Sequence, residues 1–332
     1  MRRFNPHHTW RMRLAGMCLL AFAALATSPA WAAKLFVSNE RGNTVTVLDS
    51  NTLKTIKTIP TGQRPRGIIA GPHGKWVYVA VGDSNRIDVI DVAKLAVTRH
   101  LPSGPDPELM AVGNNGTRIY IANEDNAMVT VLNAETGKPI AQIPVGTEPE
   151  GMRVSPNNEL TVATSEGTSM AHFIDNKTLK LAASVLVDTR PRVATFTPDG
   201  RYVWVSSEVG GTVSVIDVAT HQIVHKISFA IPGMRAEFIQ PVGIVMSRDG
   251  SEAFVALGPA NHVAVVDTKT YKVSDYIVVG QRPWHLALSP DGSKLYSVNG
   301  FTNDVTVIDV KSLKPEVSVP VGRLPWGIAV VP

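Results

Sequence analysis

The 332-residue chain has a single cysteine, Cys18, and that residue falls in a segment that reads as a leader. The rest of the chain has no disulfide, no thiolate nucleophile, no cysteine metal ligand and no C-x-x-C-H for covalent haem attachment. It also lacks G-x-S-x-G and H-E-x-x-H, so no serine-hydrolase elbow and no zinc-protease helix is present. Long apolar runs are scarce. The run from Leu14 to Leu25 is too short for a stable membrane span. Arg2, Arg3, Arg11 and Arg13 precede it and "SPAWAA" follows, so residues 1–32 read as a secretory signal peptide and the mature chain as residues 33–332, periplasmic and without a membrane span. An excess of one charge is missing too. Four of the 32 basic residues and none of the 28 acids fall before residue 33, which leaves 28 against 28. The basic balance therefore belongs to the leader and gives no argument for nucleic acid as a partner.

What is present is a repeat. "GQRPRG" at residue 62 recurs as "GPDPEL" at 104, "GTEPEG" at 146, "DTRPRV" at 188, "GQRPWH" at 280 and "GRLPWG" at 322. With a further start at 238 the spacings are 42, 42, 42, 50, 42 and 42, and a proline lies three residues after each start. Each repeat adds a turn such as "SPDG", a strand with one aromatic (Phe36, Tyr78, Tyr120, Trp204, Phe254 or Tyr296; Val162 in one repeat) and an alternating strand such as "NDVTVID". A fourth short strand completes the unit. Four strands in a unit of ~42 residues predict a β-propeller blade. Residues 33–332 begin in the second strand of a blade and stop after the first strand of one. The expected fold is therefore all-β: a seven-bladed propeller of four-stranded blades, closed by the C-terminal strand pairing into the N-terminal blade.

"IYIANEDNAMVTVLNAETG" and its counterparts resemble the YVTN repeats of secreted propellers. "SGPDPEL", "VGTEPEGM", "MAHFID", "SSEVGGTVSVIDVAT", "IQPVGI" and "FVALGPANHVAVVD", in order over residues 34–332, resemble the β-propeller family associated with PQQ-dependent catabolism. That resemblance implies an exported protein that works beside a PQQ-dependent alcohol dehydrogenase, its cytochrome c and transporter components. It implies no reaction.

The G-x-x-P connection delivers the chain to the central channel, so the residues around each proline are expected at one mouth of it. After the proline stand Arg66, Glu108, Glu150, Arg192, Val242, Trp284 and Trp326; before it stand Arg64, Asp106, Glu148, Arg190, Gln240, Arg282 and Leu324. The loop after the second strand adds Glu40, Glu124, Glu166 and Glu208. A fold alone accepts almost any small or polar residue there, so the charges predict either a solvated rim of ion pairs or a recognition surface. Eight extra residues in the fifth repeat place "FAIPGMRAEFIQ" over the same face, with Arg235 and Glu237 as lid candidates.

Three functions fit this set. The first is a non-enzymatic binding propeller: paired arginines suit the carboxylates of PQQ, Trp284 and Trp326 suit its planar ring, and the acidic cluster suits a hard cation or a basic protein surface. No metal or catalytic residue is assigned. The second is a lactonase-like or other hydrolytic enzyme using Glu108, Glu150 and His285. The third is a docking subunit of a quinoprotein dehydrogenase complex. His172, in "MAHFID", reads as a packed strand residue.

Overall fold

The computed structural model describes Met1, residues 33–113 and residues 115–332. The expected signal peptide, residues 1–32, lies outside the described residues apart from Met1. From Lys34 to Val331 the chain forms seven four-stranded antiparallel sheets. In six of them the strands lie in chain order, from an inner strand at the channel to an outer strand at the rim. In blade one the inner strand is Pro325–Val331, which pairs with Lys34–Asn39. Lys34 lies opposite Val331 and Val37 opposite Ile328. The expected ring closure is what forms, and it leaves the first blade no open inner edge.

The repeated residues explain the repeated geometry. The aspartate or asparagine that ends each third strand folds the next turn: Asp49 Oδ1 accepts from the backbone N of Asn51 and Thr52, and Asp217 Oδ1 does the same for Ala219 and Thr220. The aromatic of each second strand is buried between neighbouring sheets. Trp204, for example, packs with Met246, Val255 and Ala264 of the next blade. Each such side chain contributes roughly 1.5–3 kcal/mol through burial. His172 is the packed residue its sequence context suggests. Its Nε2 accepts from Gly146 N at 2.9 Å, and Nδ1 lies 2.8 Å from Ser184 Oγ.

The insertion lies where the sequence places it, between the outer strand Gln222–Ser228 and the short inner strand Ile244–Met246. Phe229 and Ile239 are buried, and Ile231 and Met234 pack onto the same core. Arg235 and Glu237 are exposed and pair with each other at 3.2 Å. They form no ion pair with a residue of the channel mouth among the described residues, so the lid expected from them does not reach the ring.

Candidate functional site

One face of the propeller is built from two sets of loops tied together within each blade. Glu124 N donates to Asp106 O, Glu166 N to Glu148 O and Glu208 N to Arg190 O, all at 2.8–2.9 Å. In six of the seven blades the residue before the proline is held in the left-handed region. Arg64, Asp106, Glu148, Arg190, Arg282 and Leu324 all have φ between 44° and 60°. Four of them are also clasped by the preceding blade, whose loop asparagine accepts their backbone N–H: Asn43 for Arg64, Asn85 for Asp106, Asn261 for Arg282 and Asn303 for Leu324.

Just inside, the inner strand breaks register between the proline and the third residue beyond it. Such a bulge re-aims side chains. Hydroxyls of the second strand collect the freed backbone groups. Thr164 Oγ1 accepts from Gly151 N and donates to Arg192 O; Ser38 Oγ links Gly327 N to Arg66 O in the same way. The approach is close. A Cβ on Gly151 would fall 2.1 Å from Arg192 O, and one on Gly67 2.2 Å from Glu108 O. Glycine is thus required at alternate blades by the narrowing of the ring.

At this narrowing the charged residues converge. Arg64 bonds Asp106 and reaches Glu108 Oε1 at 3.0 Å and Asp83 at 3.0 Å. Arg66 meets Glu108 Oε1 at 2.9 Å and Glu40 at 3.4 Å. Arg192 bonds Glu166 and lies 2.9 Å from Glu150 Oε1 and 3.7 Å from Glu208. The contact with Glu150 is an ion pair without hydrogen-bond alignment, so neither Glu150 oxygen has a hydrogen-bond partner among the described residues. Arg190 joins Glu166 at 2.8 Å, and Arg282 joins Glu208 at 2.5 Å and Gln240 at 3.0 Å. The guanidiniums of Arg282 and Arg192 lie over Trp284 at 4.1 and 5.6 Å, and that of Arg66 lies over Trp326 at 5.8 Å. Val242 and Trp326 close the ring.

The inner part of the ring is buried, and only its edge is wet. Glu108 is 0% exposed and Glu150 1%, and Arg192, Glu166, Glu208 and Trp326 are buried with them, whereas the Arg190 and Asp83 side chains are about half exposed. Of the two alternatives, a solvated rim of ion pairs does not describe the inner residues. The inner strands converge there and the tryptophans fill the remaining space. It also bears on the hydrolytic reading, because Glu108 and Glu150 present no surface to a substrate. Five guanidiniums share seven paired carboxylates, with Glu124 an eighth beside Asp106 and Glu108. The excess of acid sets the titration. Burial first, then repulsion from Glu150, raises Glu108 well above the usual carboxylate range. Burial likewise raises Glu150, and pushes Glu166 up to about 7. For Arg66 and Arg192 burial opposes the charge, but the surrounding glutamates outweigh it and hold both above the ordinary value.

A raised acid binds its proton more tightly in the folded state, so stability falls as pH climbs from the unfolded value toward the folded one. From Glu166 the loss is expected between about pH 4.5 and 7. Urea unfolding at a series of pH values should show this limb flattened in Glu166→Gln. An unchanged limb would assign the titration elsewhere. His172 acts in the opposite sense. Burial lowers it to about 4, so its contribution is complete above the unfolded value of about 6.5 and is lost as pH drops below it.

Of the remaining site candidates, Glu148 is exposed and stands outside the network. Asp106, Glu108 and Glu124 bring carboxylate oxygens within 4.8 Å of one another, but Arg64 already sits on the first two. His285 stacks on Trp326 with ring centroids 4.1 Å apart, and its Nδ1–H donates to Trp326 O at 3.0 Å. Its Nε2 is buried without a partner, and burial lowers the imidazole to about 3, so it is neutral. Sequence reasoning missed Asp83, in the loop after the second strand of blade two, and it missed Arg153 and Arg248 in the channel below.

Residues 31–330 match the cytochrome D1 heme domain family. The chain belongs to that family. Its fold is shared with Kuenenia stuttgartiensis hydrazine synthase, at 20% identity over 83% of this chain and 92% of that one, with a TM-score of 0.77. A functionally unknown protein from Desulfotomaculum acetoxidans DSM 771 is similar at 17% identity over 90% of this chain and 98% of that one, with a TM-score of 0.76. No curated protein gives a significant match. These likenesses show a seven-bladed propeller. They carry no mark specific to the PQQ-associated family.

Membership of the cytochrome D1 heme domain family raises the question of a haem. A haem takes an open axial donor and pairs its carboxylates with cations. Here His285 Nε2 is buried, and Met110 and Met152, 4% and 5% exposed, pack into the cores between blades where they border the lower channel and not the mouth. Each of the five ring arginines is already held by carboxylates. The residues present do not fit a haem at this mouth.

Proposed function

We propose that this cytochrome D1-type propeller is a non-enzymatic accessory protein of the periplasm, and that it docks a PQQ-dependent alcohol dehydrogenase through its loop face. The observation that carries this reading is where large apolar side chains are left in solvent. Apart from Met1, the exposed ones among the described residues lie on outer strands, with three exceptions: Val209 at 60%, Phe238 at 41% and Phe301 at 64% exposure. All three tip loops of the same face. They belong to blade five, to the insertion that leads into blade six, and to blade seven. Apolar tips ringed by charge are the anatomy of a protein interface. The resemblance to PQQ-associated propellers supplies the partner class, and the leader-like segment supports the compartment. The dehydrogenase's cytochrome c and transporter components are the other candidate partners on this face.

PQQ itself is a poorer occupant of the mouth. Its carboxylates would meet arginines that are already paired and a ring with more acid than base. Titration of the purified alcohol dehydrogenase of the same organism with this protein should give saturable binding. Phe301→Asp combined with Val209→Asp should weaken it by roughly tenfold or more, the scale of an interface hot spot. Binding that ignores both substitutions would remove the loop face as the docking site.

A further inference from the structure

The channel has a second end, and its chemistry is the reverse of the first. Below His285 and Trp326 a cavity of about 490 Å³ runs down to the turns at Arg248 and Ser289–Pro290 on the opposite face. None of the five ring arginines and none of their carboxylates lines it. Its wall is mixed: Thr195, Ser289 and His285 supply polar groups, and Ile69, Leu109, Val193, Val245, Leu286 and Leu288 form half-open apolar parts of it. A neighbouring space of about 540 Å³ shares Ile69, Thr195, Val245 and Leu286 with it. Two cations, Arg153 and Arg248, line both.

Arg153 is out of pattern. At its place in the inner strand the other blades carry Ile69, Ala111, Thr195, Val245, Ala287 and Ala329. Its side chain is open to channel water yet surrounded by chain, and the enclosure alone lowers its pKa, with no charged neighbour offsetting it. Neither Arg153 nor Arg248 is in an ion pair among the described residues, whereas every arginine of the upper ring is. The aspartates of this face are spent on their own turns. Asp199 accepts from Thr197 Oγ1 and Arg201 N, Asp249 from Ser247 Oγ and Ser251 N, and Asp291 from Ser289 Oγ and Ser293 N. None of the three lines the cavity.

An unpaired guanidinium in a tube whose wall is partly apolar matches an oxyanion on an apolar body, and the volume falls within the range of ~300–1,000 Å³ for small-molecule sites. We infer that the lower channel is a binding site for a slender organic anion, a carboxylate or a phosphate monoester, whose head group pairs with Arg153 and Arg248 and whose apolar part lies along Leu109, Val193 and Leu286. This site is independent of the docking face above.

The test is calorimetric titration of the purified protein with 2-naphthoate, 1-naphthyl phosphate and the uncharged 2-naphthalenemethanol. The expected result is saturable 1:1 binding of at least one anion, with the alcohol weaker by about tenfold or more, the scale of a charge-assisted pair. The two anions distinguish the head group. Arg153→Gln should lower anion affinity by a similar factor and leave alcohol binding unchanged. Ala287→Phe, which narrows the tube without touching either arginine, should weaken all three probes. Absence of saturation at millimolar anion, or equal affinity for anion and alcohol, would overturn the assignment. So would anion binding that Arg153→Gln leaves intact.

Discussion

Arg192→Ala is expected to cost the fold about 3–5 kcal/mol, the usual loss when one partner of a buried ion pair is removed. Arg192 is the guanidinium shared by Glu150, Glu166 and Glu208, all buried. Without it three carboxylates face one another with Arg190 and Arg282 at the edge and Arg66 on the side of Glu150. Each must then take up a proton, drag in water or force the inner strands apart. For a domain of this size a loss on that scale lowers the midpoint of thermal unfolding by about 5–8 °C. The cost should shrink when Glu150→Gln is added, because one of the stranded charges has gone. Circular dichroism melts of the single and double variants measure both. A loss below about 1 kcal/mol is the figure for exposed pairs, and it would mean that the ring is solvated after all.

The second large effect concerns closure. Deleting residues 322–332 removes the inner strand of blade one. It strips the ladder partner from Lys34–Asn39 and removes Trp326, Ile328, Ala329 and Val331 from the cores on either side. It also removes the carbonyl of Leu324 that Glu40 N donates to. Trp326, Ile328 and Val331 at roughly 1.5–3 kcal/mol each, about 4.5–9 kcal/mol together, match much of the 5–15 kcal/mol by which a domain is stable. The truncated chain should show no cooperative melt above 37 °C. Adding back a peptide of residues 322–332 should restore one, because the edge it pairs with is otherwise intact. A truncated chain that melts like the parent would contradict closure by this strand.

Most of the architecture was legible because a propeller writes its geometry into a period. The proline three residues after each start fixed where the chain enters the channel. The aromatic of each second strand marked the core, and the terminal segment "WGIAVVP" had to find a sheet. The loop register was legible for the same reason, which is how Arg66, Glu108, Glu150 and Arg192 were placed at one level before any coordinates. Their environment was not legible. Whether a ring of charges is wet or buried depends on its diameter. That is set by the approach of Gly67 to Glu108 O and of Gly151 to Arg192 O, a contact between blades that neither repeat shows alone. Arg153 did leave a signal, a charge at a position where every other blade has a small or apolar residue or Thr195. It lies four residues beyond the proline, below the bulge, so the proline register that marks the mouth does not mark it. Val209, Phe238 and Phe301 looked like ordinary loop residues. Only their shared face and their exposure make them a surface.

If the loop face, and not the buried ring, meets a partner, apolar loop tips and not the ring arginines should govern binding. Titrating the purified PQQ-dependent alcohol dehydrogenase of the same organism with this protein, and with its Val209→Asp, Phe301→Asp variant, tests it most directly. The account predicts saturable binding that the double variant weakens by roughly tenfold or more while its thermal melt stays that of the parent. No binding, or equal binding by a well-folded variant, would contradict it.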